Sequence, residues 1–143
     1  MSELQMDAFE EAAASAVDAG MVVLVADNHQ LFLDMDGGGV LLNKLVTLTR
    51  FHPIKKLNWW NSKTKGHKHW IITLVPEIFN PAVRVGWQMY LGSDPVKEML
   101  TLERINVGIE GCIRLFQPKD AHVYELQWSY KLPQDPDLNQ PFL

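Results

Sequence analysis

Two stretches constrain this chain more than any other. They are Leu31-Phe32-Leu33-Asp34-Met35-Asp36, closed by Gly37-Gly38-Gly39, and His67-Lys68-His69-Trp70-Ile71-Ile72-Thr73-Leu74, closed by Pro76. Apolar and β-favouring runs of this length, bounded by glycine and proline, read as strands. Successive side chains of a strand alternate faces, so Asp34 and Asp36 leave the first strand on the same side. On the second strand His67 and His69 share one face, and Lys68, Trp70 and Ile72 share the other.

The remaining segments fall around these strands. Leu4, Phe9, Ala12, Ala13, Ala16 and Val17 recur at helical spacing from about Ser2 to Ala19, and Gly20 supplies a stop. Met21 to Ala26 and Gln30 to Met35 flank Asp27-Asn28-His29, a pattern that predicts a hairpin. Val40 to Arg50 places Leu41, Leu42, Leu45 and Val46 on one stripe and predicts a helix that ends before Pro53. Lys56 to Asn61 and His67 to Val75 predict a second hairpin about Lys63-Thr64-Lys65-Gly66. Two consecutive helices follow, opened by Asn80-Pro81 and Asp94-Pro95. Ile113 to Phe116, extended by Val123 to Trp128, predicts a last strand. This order implies an N-terminal helix (1–20), one α+β domain (21–132) and a loosely held tail (133–143). The domain is expected to be a mainly antiparallel sheet with helices on one face, the other face being free to bind.

Composition narrows the classes of function. With 143 residues and 47% hydrophobic content the chain can bury a core without staples. A single Cys112 excludes an internal disulfide framework and a cysteine-rich zinc module. No apolar stretch approaches the roughly 20 residues that span a bilayer, and the start lacks a secretory pattern. The expectation is a soluble cytoplasmic protein without a membrane partner. A net charge of −4 argues against a generally basic surface, yet Lys44, Arg50, Lys55, Lys56, Lys63, Lys65 and Lys68 lie close together, interleaved with His52, Trp59, Trp60, His67, His69 and Trp70.

Several residues carry candidate chemistry. Hard carboxylate oxygens on Asp34 and Asp36 suit Mg²⁺ or Mn²⁺, which clamp phosphates during phosphoryl or nucleotidyl transfer. Aspartate before glycine also suits a turn, where the side chain bonds its own backbone. His67 or His69 meets the aspartates if the two strands are neighbours, and Ser62, Lys63 and Lys65 then offer phosphate contacts. Asp94, before Pro95, reads as a helix N-cap or as a third metal-facing carboxylate. Arg104 and Arg84 can reach a phosphate or pair with an acid. Trp59 and Trp60 have the aromatic character that stacks on unpaired bases, although strand alternation sends at least one inward.

These residues together resemble the archaeo-eukaryotic primase and primase-polymerase superfamily, in particular its small phage-type members. Leu31 to Asp36 matches the family's apolar strand ending in Asp-x-Asp. Ser62 to Ile72 is similar to its loop leading to a nucleotide-binding histidine, with His69 as the counterpart, and the likeness continues into Leu91-Gly92-Ser93-Asp94-Pro95-Val96-Lys97-Glu98. Lys65 stands where the family loop has glycine. The resemblance implies an RRM-like, primase-like sheet acting in DNA replication within the host cytoplasm. It further implies Asp34, Asp36 and Asp94 as ligands of Mg²⁺ or Mn²⁺, and His69 with Ser62, Lys63, Lys65, His67 and Arg104 facing a nucleotide or single-stranded nucleic acid. Two alternatives stand beside it: a non-catalytic module that binds nucleic acid or a host protein, and a metal-dependent endonuclease. The His-x-His pattern is similar to that of rolling-circle nucleases, and Tyr90 is the nucleophile such a reading requires.

Overall fold

A computed structural model of the protein describes residues 3–128 and 141–142, with side chains from residue 10 to residue 128. The elements are α1 (Glu3–Asp18), β1 (Met21–Val25), β2 (Gln30–Asp36), β3 (Val40–Leu41), α2 (Leu42–Phe51), β4 (Ile54–Asn61), β5 (His67–Leu74), α3 (Pro81–Tyr90), α4 (Pro95–Asn106), β6 (Arg114–Pro118), β7 (Tyr124–Gln127) and β8 (Pro141–Phe142). The architecture is α+β. An antiparallel four-stranded sheet runs in the order β2-β5-β4-β7, beside antiparallel pairs β1-β6 and β3-β8.

The β4–β5 hairpin forms where the sequence predicts it. Its connection is closed by the Ser62 hydroxyl accepting from the Thr64 N–H at 3.0 Å, and by Gly66 at φ +83°. Side-chain oxygens that bond backbone two residues on, with glycine in the left-handed region, are what a tight reversal requires.

The predicted β1–β2 hairpin does not form. β2 pairs with β5 from Gln30↔Thr73 to Asp36↔His67, while β1 leaves to pair with β6. The Asp27–His29 connection is held by other parts of the chain. Arg84, buried on α3, donates to the Asp27 carbonyl at 2.6 Å and the Gln30 carbonyl at 3.1 Å, and the Ile78 N–H donates to the Asn28 carbonyl at 2.9 Å. Arg84 therefore serves the fold by holding this connection. The expected last strand is likewise two strands: β6 joins β1, and β7 joins the edge of the main sheet at β4.

Both faces of the main sheet are covered, so the face expected to stay bare is packed. On one side Leu31, Leu33, Leu57, Trp70, Ile72 and Leu74 meet Leu45 and Leu48 of α2. Trp59 stacks there between Trp70 (ring centroids 4.9 Å apart) and Tyr124 (5.4 Å). On the other side Phe32 and Trp60 meet Val85, Ile113 and Leu115, with Leu102 and Ile105 of α4 packed around them. The cause is visible in the residues: Leu31-Phe32-Leu33 and Trp70-Ile71-Ile72 are apolar on both sides of the strand, and leaving either side in water forfeits the burial of several large side chains at about 1.5–3 kcal/mol each.

The outer edge of β2 is sealed by polar groups rather than by a further strand. The Phe32 N–H donates to Gln88 Oε1 at 2.9 Å, the Asp34 N–H donates to Ser93 Oγ at 2.9 Å, and the Asp94 N–H donates to the Asp34 carbonyl at 2.8 Å. Behind them the fully buried carboxylate of Glu98 accepts from Gln88 Nε2 and Ser93 Oγ, each at 2.8 Å. Edge strands expose unpaired backbone groups, and this network satisfies them while fixing Asp34 in register.

The tail expected at 133–143 lies mostly outside the described residues; within it, Pro141–Phe142 pairs with Val40–Leu41.

Candidate functional site

The register of β2 and β5 sets Asp34 opposite His69 and Asp36 opposite His67. Alternation places all four side chains on the face that carries Phe32 and Trp60. Asp34 Oδ1 lies 3.4 Å from His69 Nε2, and Asp36 Oδ1 lies 3.2 Å from His67 Nε2. The pairs differ in environment. Asp36 is 77% exposed at the strand's end, whereas the Asp34 and His69 side chains are 27% and 12% exposed. The His69 ring meets Trp60 edge-on at 5.5 Å, and its Nδ1 is buried with no hydrogen-bond partner among the described residues.

The inner pair opens into a pocket of about 240 Å³. Asp34 and His69 form part of its wall, Lys97, Thr101 and Arg104 come from α4, and Arg114 and Phe116 come from β6. Arg104, a candidate named from the sequence, lines this wall. Lys97 and Arg114 are the residues that sequence reasoning passed over, Lys97 although it falls within the family-like Leu91–Glu98 segment. A signal was present for Lys97, since Lys97, Thr101 and Arg104 recur at i, i+4 and i+7 on one helical face.

The electrostatics suit an anion. The hydrogen bond from His69 holds the Asp34 carboxyl below its usual range, against the opposing effect of burial. Burial pulls Lys97 below its ordinary value, with Glu98, Asp34 and Asp94 acting in the other direction. Its Nζ is buried without a hydrogen-bond partner among the described residues. Arg104 is also lowered by burial. Arg114 donates through Nε to the Gly111 carbonyl at 2.7 Å and approaches Glu10 of α1 at 3.8 Å. Three cationic side chains thus face one carboxylate in a recess. A sequestered ammonium without an acceptor is costly unless a ligand oxygen completes it.

Other expected residues lie elsewhere. Ser62 closes the β4–β5 turn, and Lys63 and Lys65 stand exposed on it, away from the pocket wall. Asp94 caps α4, its Oδ1 accepting from the Val96 N–H at 3.0 Å, so the N-cap reading of Asp94-Pro95 holds. Trp59 and Trp60 are both buried, on opposite faces of the sheet, and neither is available to a base. Tyr90 lines a separate groove with Thr47, Val83, Gly86 and Trp87, which neither His67 nor His69 lines.

Among the described residues no group of three His, Cys, Asp or Glu side chains is placed to hold a metal ion. Asp34 and Asp36 alone make a partial donor set. Each of the two is paired with a histidine, Asp34 with His69 and Asp36 with His67.

No described helix is long and apolar enough to cross a membrane. No family model, curated protein or solved structure matches the chain.

Proposed function

We propose that the Asp34–His69 pocket binds the phosphates of a nucleotide, and that the domain is a primase-like module of phage type whose reaction is metal-dependent nucleotidyl transfer. The observation that carries this reading is the placement of Lys97, Arg104 and Arg114 around a carboxylate–imidazole pair in one recess. Cations at a confined anion site are worth far more than on an open surface, because the dielectric is low and charge-assisted hydrogen bonds are short and strong.

The chain's own residues have distinct roles in this scheme. Arg104 and Arg114 grip phosphate oxygens, Arg being suited to planar, bidentate contacts. Lys97 adds a point charge from the pocket wall. Asp34 stays ionised because His69 hydrogen-bonds it, and the β2 edge network keeps it in place. Asp34 and Asp36 would hold Mg²⁺ or Mn²⁺, which would neutralise charge on the triphosphate as the nucleotidyl group moves and pyrophosphate leaves.

One observation favours a second reading, a binding module without catalysis: the Asp94 carboxylate, the candidate third ligand, is occupied in capping α4. A single assay separates the two. Incubation with labelled nucleoside triphosphate, Mn²⁺ and a single-stranded template yields an extended product with wild type and none with Asp34→Ala if transfer occurs. Binding of the triphosphate with no product in wild type selects the module.

A further inference from the structure

A second surface, on the opposite side of the main sheet, has the make-up of a stacking platform. Side chains of α2 and α3 approach each other there in a row of rings, of which Phe51 and Tyr90 are exposed and Trp87 is half-buried against the core. Phe51 and Trp87 have centroids 5.7 Å apart, and Trp87 and Tyr90 are also 5.7 Å apart, nearly perpendicular. His52 meets Trp87 edge-on at 5.6 Å. Phe51 is 68% exposed and Tyr90 42%, which is unusual for large rings that have a core available. Between the helices runs a shallow groove of about 450 Å³, where Gly86 adds no side chain beside Trp87.

Charge decides what such a surface takes. Lys44 Nζ sits 5.2 Å above the centre of the Tyr90 ring, and Arg50, the residue before Phe51, is exposed in the last turn of α2. Neither helix contains an aspartate or glutamate, in a chain whose net charge is −4. An apolar face meant for another protein's apolar face has no need of acid-free flanks with cations next to its rings. A polyanion that exposes flat π-faces does: bases stack on aromatic side chains while phosphates meet Lys and Arg.

We propose that the α2–α3 surface binds single-stranded nucleic acid, with Phe51, Trp87 and Tyr90 as stacking positions and Lys44 and Arg50 as phosphate contacts. The aromatic-and-cation chemistry that the sequence suggests at Trp59–Trp60 is thereby assigned to a different element. The inference stands independently of the Asp34 pocket.

The test is fluorescence anisotropy with a labelled single-stranded oligonucleotide at low salt, for wild type, Phe51→Ala, Tyr90→Ala and Lys44→Glu. Thermal unfolding confirms that each variant is folded; Phe51 is exposed enough for its removal to leave the core intact. Each ring variant is expected to weaken binding by about fivefold or more, and the affinity to fall as salt rises. Lys44→Glu, which reverses a charge, is expected to have the larger effect. Four results overturn the proposal: no binding by wild type, binding indifferent to all three substitutions, displacement of the oligonucleotide by free nucleoside triphosphate, or a wild-type dimer in sedimentation that Phe51→Ala converts to monomer. Displacement would move the strand to the Asp34 pocket, and the dimer would identify a second copy as the occupant.

Discussion

Asp34 and His69 face each other across the β2–β5 ladder, Oδ1 3.4 Å from Nε2, in the wall of a pocket that Lys97, Arg104 and Arg114 also line. The hydrogen bond lowers the folded-state pKa of Asp34 below the 3.8 of an unperturbed aspartate. A depressed carboxylate contributes stability that is present above the unfolded pKa and is lost as pH falls through the folded value. The unfolding free energy of wild type relative to Asp34→Asn is therefore expected to shrink as pH drops from about 5 to about 2, as measured by urea titration at several pH values. A difference that stays constant through that range contradicts the assignment.

Lys97 should show opposite effects on stability and on binding. Its Nζ is buried with no hydrogen-bond partner among the described residues, so the folded protein carries a desolvation cost that the proposed phosphate would offset. Lys97→Met keeps the length of the side chain and removes the charge. The variant is expected to be more stable than wild type by about 1 kcal/mol in denaturant and to bind nucleoside triphosphate about tenfold more weakly. A destabilised variant with unchanged binding would falsify the phosphate role.

Glu98 lies behind Asp34 and has the opposite pH signature. Burial raises its pKa above 4.5, while hydrogen bonds from Ser93 and Gln88 partly offset the rise. A carboxyl with a raised folded pKa binds more protons folded than unfolded, so its contribution to stability declines as pH climbs from the unfolded pKa through the folded one. Glu98→Gln sets an amide NH₂ against a donor of Gln88 or Ser93 and is expected to cost about 2 kcal/mol. That deficit should be greatest near pH 4.5 and smaller at neutral pH, since only the wild type loses stability across the window. Chemical denaturation of both proteins at the two pH values checks the sign.

Gly92 separates α3 from α4 with φ at +103°, and a Cβ there would lie 3.1 Å from Met35 Cε. Gly92→Ala combines backbone strain with a tight contact and is expected to lower stability by about 1–3 kcal/mol. Thermal unfolding measures it. A variant as stable as wild type would mean that the turn adopts another conformation.

The sequence carries much of this arrangement where the signal is local. The alternation of β2 and β5 put Asp34 with Asp36, and His67 with His69, on common faces, and the structure brings the two strands into direct register. The Asp94-Pro95 cap and the Lys63–Gly66 reversal were equally legible, because each depends on neighbours within a few residues. What failed was long-range pairing. Asp27-Asn28-His29 has turn chemistry, yet Arg84, far along the chain, holds that connection in a shape that sends β1 to β6. Both faces of β2 and β5 are apolar, and that pattern implied two covering layers rather than one. Arg114 escaped notice because an arginine at a strand start has no local pattern of its own, and the shared spacing of Lys97, Thr101 and Arg104 marks a helical face without saying what that face meets. Only the packing of α4 and β6 beside β2 turns them into a site.

Calorimetric titration of a nucleoside triphosphate, with and without Mn²⁺, into wild type, Asp34→Ala, Asp36→Ala and Arg104→Met tests the central claim most directly. The expected result is binding by wild type that Mn²⁺ strengthens, loss of the Mn²⁺ effect in both aspartate variants, and binding about tenfold weaker or worse in Arg104→Met whether or not Mn²⁺ is present. No heat with wild type, or an affinity that ignores all three substitutions, contradicts the account.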